Sequence, residues 1–407
     1  MKDQALNDLA QCGTPLFYKL ASVGSDVTAP DIRLGEAIRL RVRSLSGMQK
    51  EAIAVSARTG LAWRLASDEG AYLAGLDEAP CPLSFLSTGM ISSYMHEILA
   101  LAKIRHIDID DIRLVQDNYY TMEGSALKGT MVGGAKDVHL TAQISSSSER
   151  AVLMRLVGDA VSASPLNGLL RGNLPSLFSL THNGRPIDTG KAAPLPGNPL
   201  ADTNHAFDKP DIAGGNWEKL IIRGGQSPKA PHTVTMANDS LAEHQSRLLH
   251  IRAICTVAED GVKRIEQHLY NPHGSVFHFL CDEAPENGGQ ARAPDAATYV
   301  SAGIGFCFMT QLGRYAQITK KDLREYRIIQ DTNFSLGGAS AQTGTAGHAD
   351  PVETHVFVET GESDDFARTL LDMSEQTCFL HALCKTDLKT RVLISTFDEE
   401  IPLEIPA

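Results

Sequence analysis

Ala293-Pro-Asp-Ala-Ala-Thr-Tyr-Val-Ser-Ala-Gly-Ile-Gly-Phe-Cys-Phe-Met309 aligns, without a gap, beneath Ala79-Pro-Cys-Pro-Leu-Ser-Phe-Leu-Ser-Thr-Gly-Met-Ile-Ser-Ser-Tyr-Met95. The offset is 214 residues (293 against 79), and it holds through Asp108/Asp322, Arg113/Arg327 and Gln116-Asp117/Gln330-Asp331. Of the 44 positions from 79 to 122, 11 are identical, and the same offset later pairs Leu156 with Leu370 and Leu169 with Leu383. A fixed offset of this kind is the mark of an internal duplication. The sequence therefore predicts two copies of one domain: residues 15–170, then a Pro/Gly-rich connector over 171–247, then residues 248–407.

Each copy reads the same way. Alternating strands open it, Ile38–Ser44 in the first and Leu249–Val257 in the second. The second copy adds a hairpin, Ile265–Tyr270 and Ser275–Cys281, around Asn271-Pro-His-Gly274. A long apolar helix follows, over 83–104 or 297–318, then strands at 112–116 and 138–144 or at 326–330 and 354–359. A second helix opens after Ser146-Ser-Ser-Glu149 or Glu362-Ser-Asp-Asp365, and a strand over 390–395 closes the second copy. The fold class is α+β, with sheet and two central helices per copy. The connector holds eight of the nineteen prolines and eight glycines, a composition that disfavours regular structure, and it is expected to be a surface connector or a lid.

The 407 residues carry a net charge of −12, which repels phosphate backbones and disfavours nucleic-acid binding. Ala296–Gly313 is uncharged, but it is interrupted by Thr298, Ser301, Thr310 and Gln311, and it reads as a buried helix rather than a membrane span. Seven cysteines without a C-x-x-C pair fit neither a disulfide framework nor structural zinc, and no metal or other cofactor is expected. The acidic start lacks the basic end and apolar run of a signal peptide, so a cytoplasmic protein with reduced thiols is expected. Gly129–Lys136 lacks the Gly-Lys-Ser/Thr ending of a phosphate loop, and Gly338–Gln342 lacks the last glycine of a nucleophile elbow. His268, His273 and His278 lack a metal-ligand spacing and read as ordinary strand and turn histidines.

The repeat isolates two thiols. Cys307 falls opposite Ser93 and Cys378 opposite Ser164, so both cysteines at matched positions are absent from the first copy together. Thiolate reactivity is what separates Cys from Ser functionally, and the pair reads as a unit.

Here the sequence resembles the OsmC/Ohr family, the osmotically induced and organic-hydroperoxide-resistance proteins. The resemblance rests on Asp282-Glu-Ala-Pro285, Gly288-Gly289, Ala293-Pro294, Gly303-Ile-Gly-Phe-Cys-Phe308 and Glu375-Gln-Thr-Cys-Phe-Leu-His-Ala-Leu383, with Ala79-Pro-Cys-Pro82 and Ser164-Pro165 in the first copy. It implies a thiol peroxidase built as a pseudo-dimer within one chain, the first copy being the degenerate half. Cys307 would be peroxidatic and Cys378 resolving. The substrate would be a small organic hydroperoxide and the partner a dithiol reductant; a homo-oligomer stays open.

The family also places an Arg in an early strand and a Glu before the first Cys. Arg39, with Arg252 as its match, is the candidate for the first. At the second place stands Ala297, and the nearest acid is Asp295. Two further readings stand beside the peroxidase. One is a hydrolase or lyase of a small catabolic intermediate, using Cys378 or Cys307 with His381 or His355. The other is a non-catalytic binder of apolar small molecules.

Overall fold

The computed structural model describes residues 8–24, 27–202, 204–208, 210–230 and 245–403. The first half contains β1 (Tyr18–Lys19), β2 (Gly35–Ser44), β3 (Lys50–Ser56), β4 (Ala62–Ser67), α1 (Pro82–Arg105), β5 (Asp111–Gly124), β6 (Val132–Ala135), β7 (Val138–Ser145), α2 (Arg150–Ala163) and α3 (Gly168–Arg171). After it come β8 (Ser176–His182), β9 (Arg185–Ile187) and β10 (Ile221–Gln226). The second half contains β11 (Gln245–Val257), β12 (Lys263–Asn271), β13 (Ser275–Cys281), α4 (Ala296–Thr319), β14 (Glu325–Ser335), β15 (Val352–Glu359), α5 (Asp364–Thr377), α6 (Phe379–Lys385) and β16 (Thr390–Ser395).

The strands form two mixed sheets with the long helices packed between them. One sheet runs β1-β4-β3-β2-β14-β15-β8-β9, and the other runs β10-β13-β12-β11-β5-β7-β16, with β6 added beside β5. Each sheet draws on both halves. β2 pairs antiparallel with β14, setting Arg39 opposite Asp331, and β11 pairs antiparallel with β5, setting Arg252 opposite Asp117. Both junctions carry a two-pronged ion pair: Arg39 donates to Asp331 at 2.7 and 2.6 Å, and Arg252 to Asp117 at 2.8 and 2.8 Å. At the other edges β8 adds parallel to β15 and β16 adds parallel to β7.

This arrangement corrects two expectations. The two halves do not each hold a sheet of their own. The segment 171–247 is not an irregular connector throughout, since β8, β9 and β10 lie within it; Pro and Gly cluster in the turns around them and leave Ser176–His182 free to pair. The part of that segment from 231 to 244 lies outside the described residues.

α1 and α4 are apolar nearly all round and are the buried centre, as expected of helices without a solvent face. Pro82 begins α1 and the Asp295 side chain caps α4 by accepting from the Thr298 N–H at 2.7 Å. The helices cross where glycine removes the side chain. A Cβ on Gly303 would stand 2.7 Å from the Leu86 nitrogen and 3.0 Å from the Pro82 carbonyl oxygen; one on Gly89 would collide with the Ala296 carbonyl oxygen. These two glycines are partners at the 214-residue offset. No helix among the described residues is long and apolar enough to cross a membrane.

Candidate functional site

The second long helix of each half is not continuous. α5 ends at Cys378, whose extended backbone (φ −75°, ψ 115°) also caps α6, and α2 ends the same way at Ser164. The break turns each residue back toward the middle of a central helix. Ser164 Oγ lies 2.7 Å from Ser93 Oγ, and Cys378 lies near enough to Cys307 to raise its thiol. Both cysteines are buried and neither forms a disulfide.

Around each pair stand a lysine and a glutamate from strand ends. In the cysteine centre these are Lys50, which opens β3, and Glu69, which follows β4. The Lys50 ammonium donates to the Met48 carbonyl oxygen, while Glu69 accepts from Thr310 Oγ1 at 2.8 Å and from the Tyr72 hydroxyl at 2.8 Å. Burial pulls Lys50 below the usual lysine range, against the pull of Glu69 and Asp68, and raises Glu69 above the usual carboxylate range, against Lys50. Burial also pushes the Cys307 thiol well up, and contact with Cys378 adds to this; the backbone N–H of Leu380 faces the sulfur and favours the thiolate. This centre is buried and drawn toward neutral forms. Cys81, the N-cap of α1, sits close by and is raised to about 11 by burial.

The serine centre repeats the frame with different chemistry. Lys263 opens β12 and Glu283 follows β13, and here the two meet directly at 2.9 Å. The lysine holds the Glu283 carboxyl down at about 2 in spite of burial, so this pair stays charged. His96 takes the place of Thr310 and Asp295 the place of Cys81. A cavity of about 70 Å³ opens here, lined by Ser93, His96, Glu283, Asp295, Glu36 and Arg58 together with Leu166, Phe334 and Leu336.

The residues singled out from sequence divide between these places. Cys307 and Cys378 lie in one buried region, where Cys378 raises the Cys307 thiol. His381 is fully buried between the rings of Phe178 (5.5 Å) and Phe308 (5.1 Å), and neither of its nitrogens has a hydrogen-bond partner; burial lowers it to about 3. A neutral imidazole in an apolar wall is a weak base, which disfavours the Cys–His hydrolase reading. Because the helix breaks at Cys378, Cys378 and His381 do not share one continuous helix face. Asp295 lines the serine cavity rather than the cysteine centre. Arg39 points to the outer face of its sheet, into a groove with Pro196, Leu200 and His355, while its neighbour Leu40 is the residue packed on α4 at Gly305. His355 is paired through Nδ1 with Ser179 Oγ at 2.7 Å, in that same groove.

Lys50, Glu69, Lys263, Glu283 and His96 were not singled out from sequence. The signal was present: Asp68-Glu69 and Asp282-Glu283 match at the 214 offset. In both halves the aspartate of that pair turns the loop, accepting the N–H groups of Leu76 and Glu78 in one and of Gln290 and Arg292 in the other. Among the described residues, no group of three or more His, Cys, Asp or Glu is arranged to hold a metal ion.

No protein-family model matches the sequence. No curated protein matches it either. Among solved structures, an OsmC-like hydroperoxide resistance protein from Jannaschia sp. CCS1 is similar over 31% of this chain and 79% of its own, at 18% identity and a TM-score of 0.18.

Proposed function

We propose that the chain is a tandem OsmC-like protein, a pseudo-dimer of two copies of one domain, that reduces organic hydroperoxides with the Cys307–Cys378 pair. The observation that carries this reading is the closeness of two buried cysteines, Cys378 at a helix break and Cys307 in α4, beside a buried Lys50 and Glu69. The equivalent Ser93–Ser164 contact in the other half supports treating the pair as one unit.

In the proposed reaction the Cys307 thiolate attacks one peroxide oxygen and the O–O bond breaks. The alcohol leaves with a proton, and Cys307 becomes a sulfenic acid. Cys378 then attacks the Cys307 sulfur, water leaves, and a disulfide forms; an external dithiol returns both to thiols. In this reading Lys50 takes the place that the sequence suggested for Arg39, its ammonium and the Cys307 thiolate forming together against the burial that draws each toward its neutral form. Its charge lowers the cost of the thiolate, and Glu69 with Tyr72 is positioned to carry the proton that Cys307 gives up.

The test is a thiol count before and after one equivalent of cumene hydroperoxide. The expected result is the loss of two thiols per chain, recovered by a dithiol and absent from Cys307→Ser. An unchanged count with several hydroperoxides removes the proposal.

A further inference from the structure

We propose that the serine-lined cavity is a binding site for a small primary ammonium ion carrying a short apolar tail, a site of this chain separate from its thiols. The cavity brings three carboxyl groups together from three directions: Glu36 at the start of β2, Asp295 at the cap of α4 and Glu283 in the loop after β13. Two cations face them, each in an ion pair, although Arg58 Nε makes no hydrogen bond. Lys263 is bonded to Glu283 at 2.9 Å, and Arg58 lies 3.5 Å from Glu36. Asp295 has the Thr298 N–H as its partner, and Glu36 has Ser56 Oγ and the Ala37 N–H. Glu97, beside His96, is taken up by the N–H groups of Ala339 and Ser340. The negative groups of the cavity therefore outnumber the positive ones.

A second observation points into the same space. Nε2 of His96 is buried and has no hydrogen-bond partner. A buried polar atom left unpaired is costly, and at a cavity wall it marks where a ligand atom belongs. Burial keeps this imidazole neutral. A neutral ring can accept an N–H, so an ammonium group has three acceptors to meet: Glu36, Asp295 and His96. The apolar lining residues Leu166, Phe334 and Leu336 suit a short hydrocarbon chain. An anion would meet the carboxyls, and the described residues do not assemble a metal site.

The empty cavity shows how it tolerates its own charge. Burial raises the Glu36 carboxyl to about 7 and raises Asp295 as well; Asp295 adds to the rise at Glu36, and Glu283 to that at Asp295. Near neutrality the cavity thus stores a proton between these carboxyls. A bound ammonium ion takes the place of that proton. Binding must then release a proton, and affinity must fall as pH falls through that range, by up to about tenfold per pH unit.

The experiment is calorimetry on the full chain with n-propylammonium chloride, with propan-1-ol and sodium propionate as isosteric controls. The expected result is one site per chain and no binding of the alcohol or the acid. Affinity should fall as pH is lowered from about 8 to about 6, and the heat should differ between two buffers of unlike ionisation enthalpy as a proton leaves. Asp295→Asn, which preserves the helix cap, and Glu36→Gln should each weaken binding at least about tenfold, and Glu36→Gln should flatten the pH dependence. The proposal fails if propylammonium binds no more tightly than propan-1-ol, or if both variants bind like the parent. Should either variant fail to fold, the controls and pH series on the parent chain still decide the matter.

Discussion

Gly303→Ala tests the crossing of α1 and α4 on which both centres are built. The added Cβ would stand 2.7 Å from the Leu86 nitrogen, 3.0 Å from the Pro82 carbonyl oxygen and 3.2 Å from the Leu86 Cα. All three are backbone atoms of a buried helix, so no side chain can swing away, and the helices must move apart. Forcing a methyl into a packed core costs about 1–3 kcal/mol, and backbone neighbours put this site near 3. Alanine returns about 1 kcal/mol over glycine through helix propensity. The net loss is about 2 kcal/mol, or a fall of about 0.7 M in the urea midpoint at a slope near 3 kcal/mol/M. Gly158→Ala in α2 is the control, because a Cβ there meets nothing within 4 Å. It should gain up to about 1 kcal/mol through the same propensity difference. Urea unfolding followed by circular dichroism reads both variants. Equal stability of the two alanine variants, with unchanged slope, would refute the claim that the crossing depends on glycine.

Lys263→Met leaves Glu283 buried without its partner and should cost about 3–5 kcal/mol, while Lys263→Met with Glu283→Leu should recover most of that; urea midpoints compare the two. Glu36 carries a raised folded value of about 7, so its contribution to stability is greatest below the unfolded carboxylate range and is lost as pH rises through about 7. Glu36→Gln should therefore gain on the parent between about pH 5 and pH 8, and a midpoint difference that does not change with pH would contradict this. Cys307→Ser should abolish hydroperoxide turnover, because a hydroxyl is not ionised near neutral pH. Cys378→Ser should yield a sulfenic acid trappable by dimedone and a single slow turnover, visible by mass spectrometry.

The central helices were legible almost to the residue, at 83–104 and 297–318 against Pro82–Arg105 and Ala296–Thr319, because an apolar run bounded by Pro82 or the Asp295 cap admits little else. The hairpin of the second half was legible for a similar reason, with turn residues between two alternating runs. The sharing of sheets was not. Two copies with the same strand pattern satisfy that pattern whether β2 pairs within its own half or across to β14; only three-dimensional connection separates the choices. Nor were the lysines legible. Lys50 and Lys263 sit one residue off the 214 offset that aligns the helices, and a lone lysine at a strand start looks like any solvated one. The break at Cys378 was hidden because the residues on either side tolerate helix, whereas Pro165 marks the one at Ser164 by pushing the residue before it into extended backbone.

The crossing of β2 to β14 and of β11 to β5 has a consequence for synthesis. A chain emerging in order exposes β2 and β5 as open strand edges until the second half arrives, since their neighbours lie near residues 325–335 and 245–257. β7 waits longer still, for β16 at Thr390–Ser395. Neither sheet can close before nearly the whole chain has left the ribosome. The first half must spend that interval with one edge of β2 and one of β5 open, the condition in which chains aggregate or recruit a holdase.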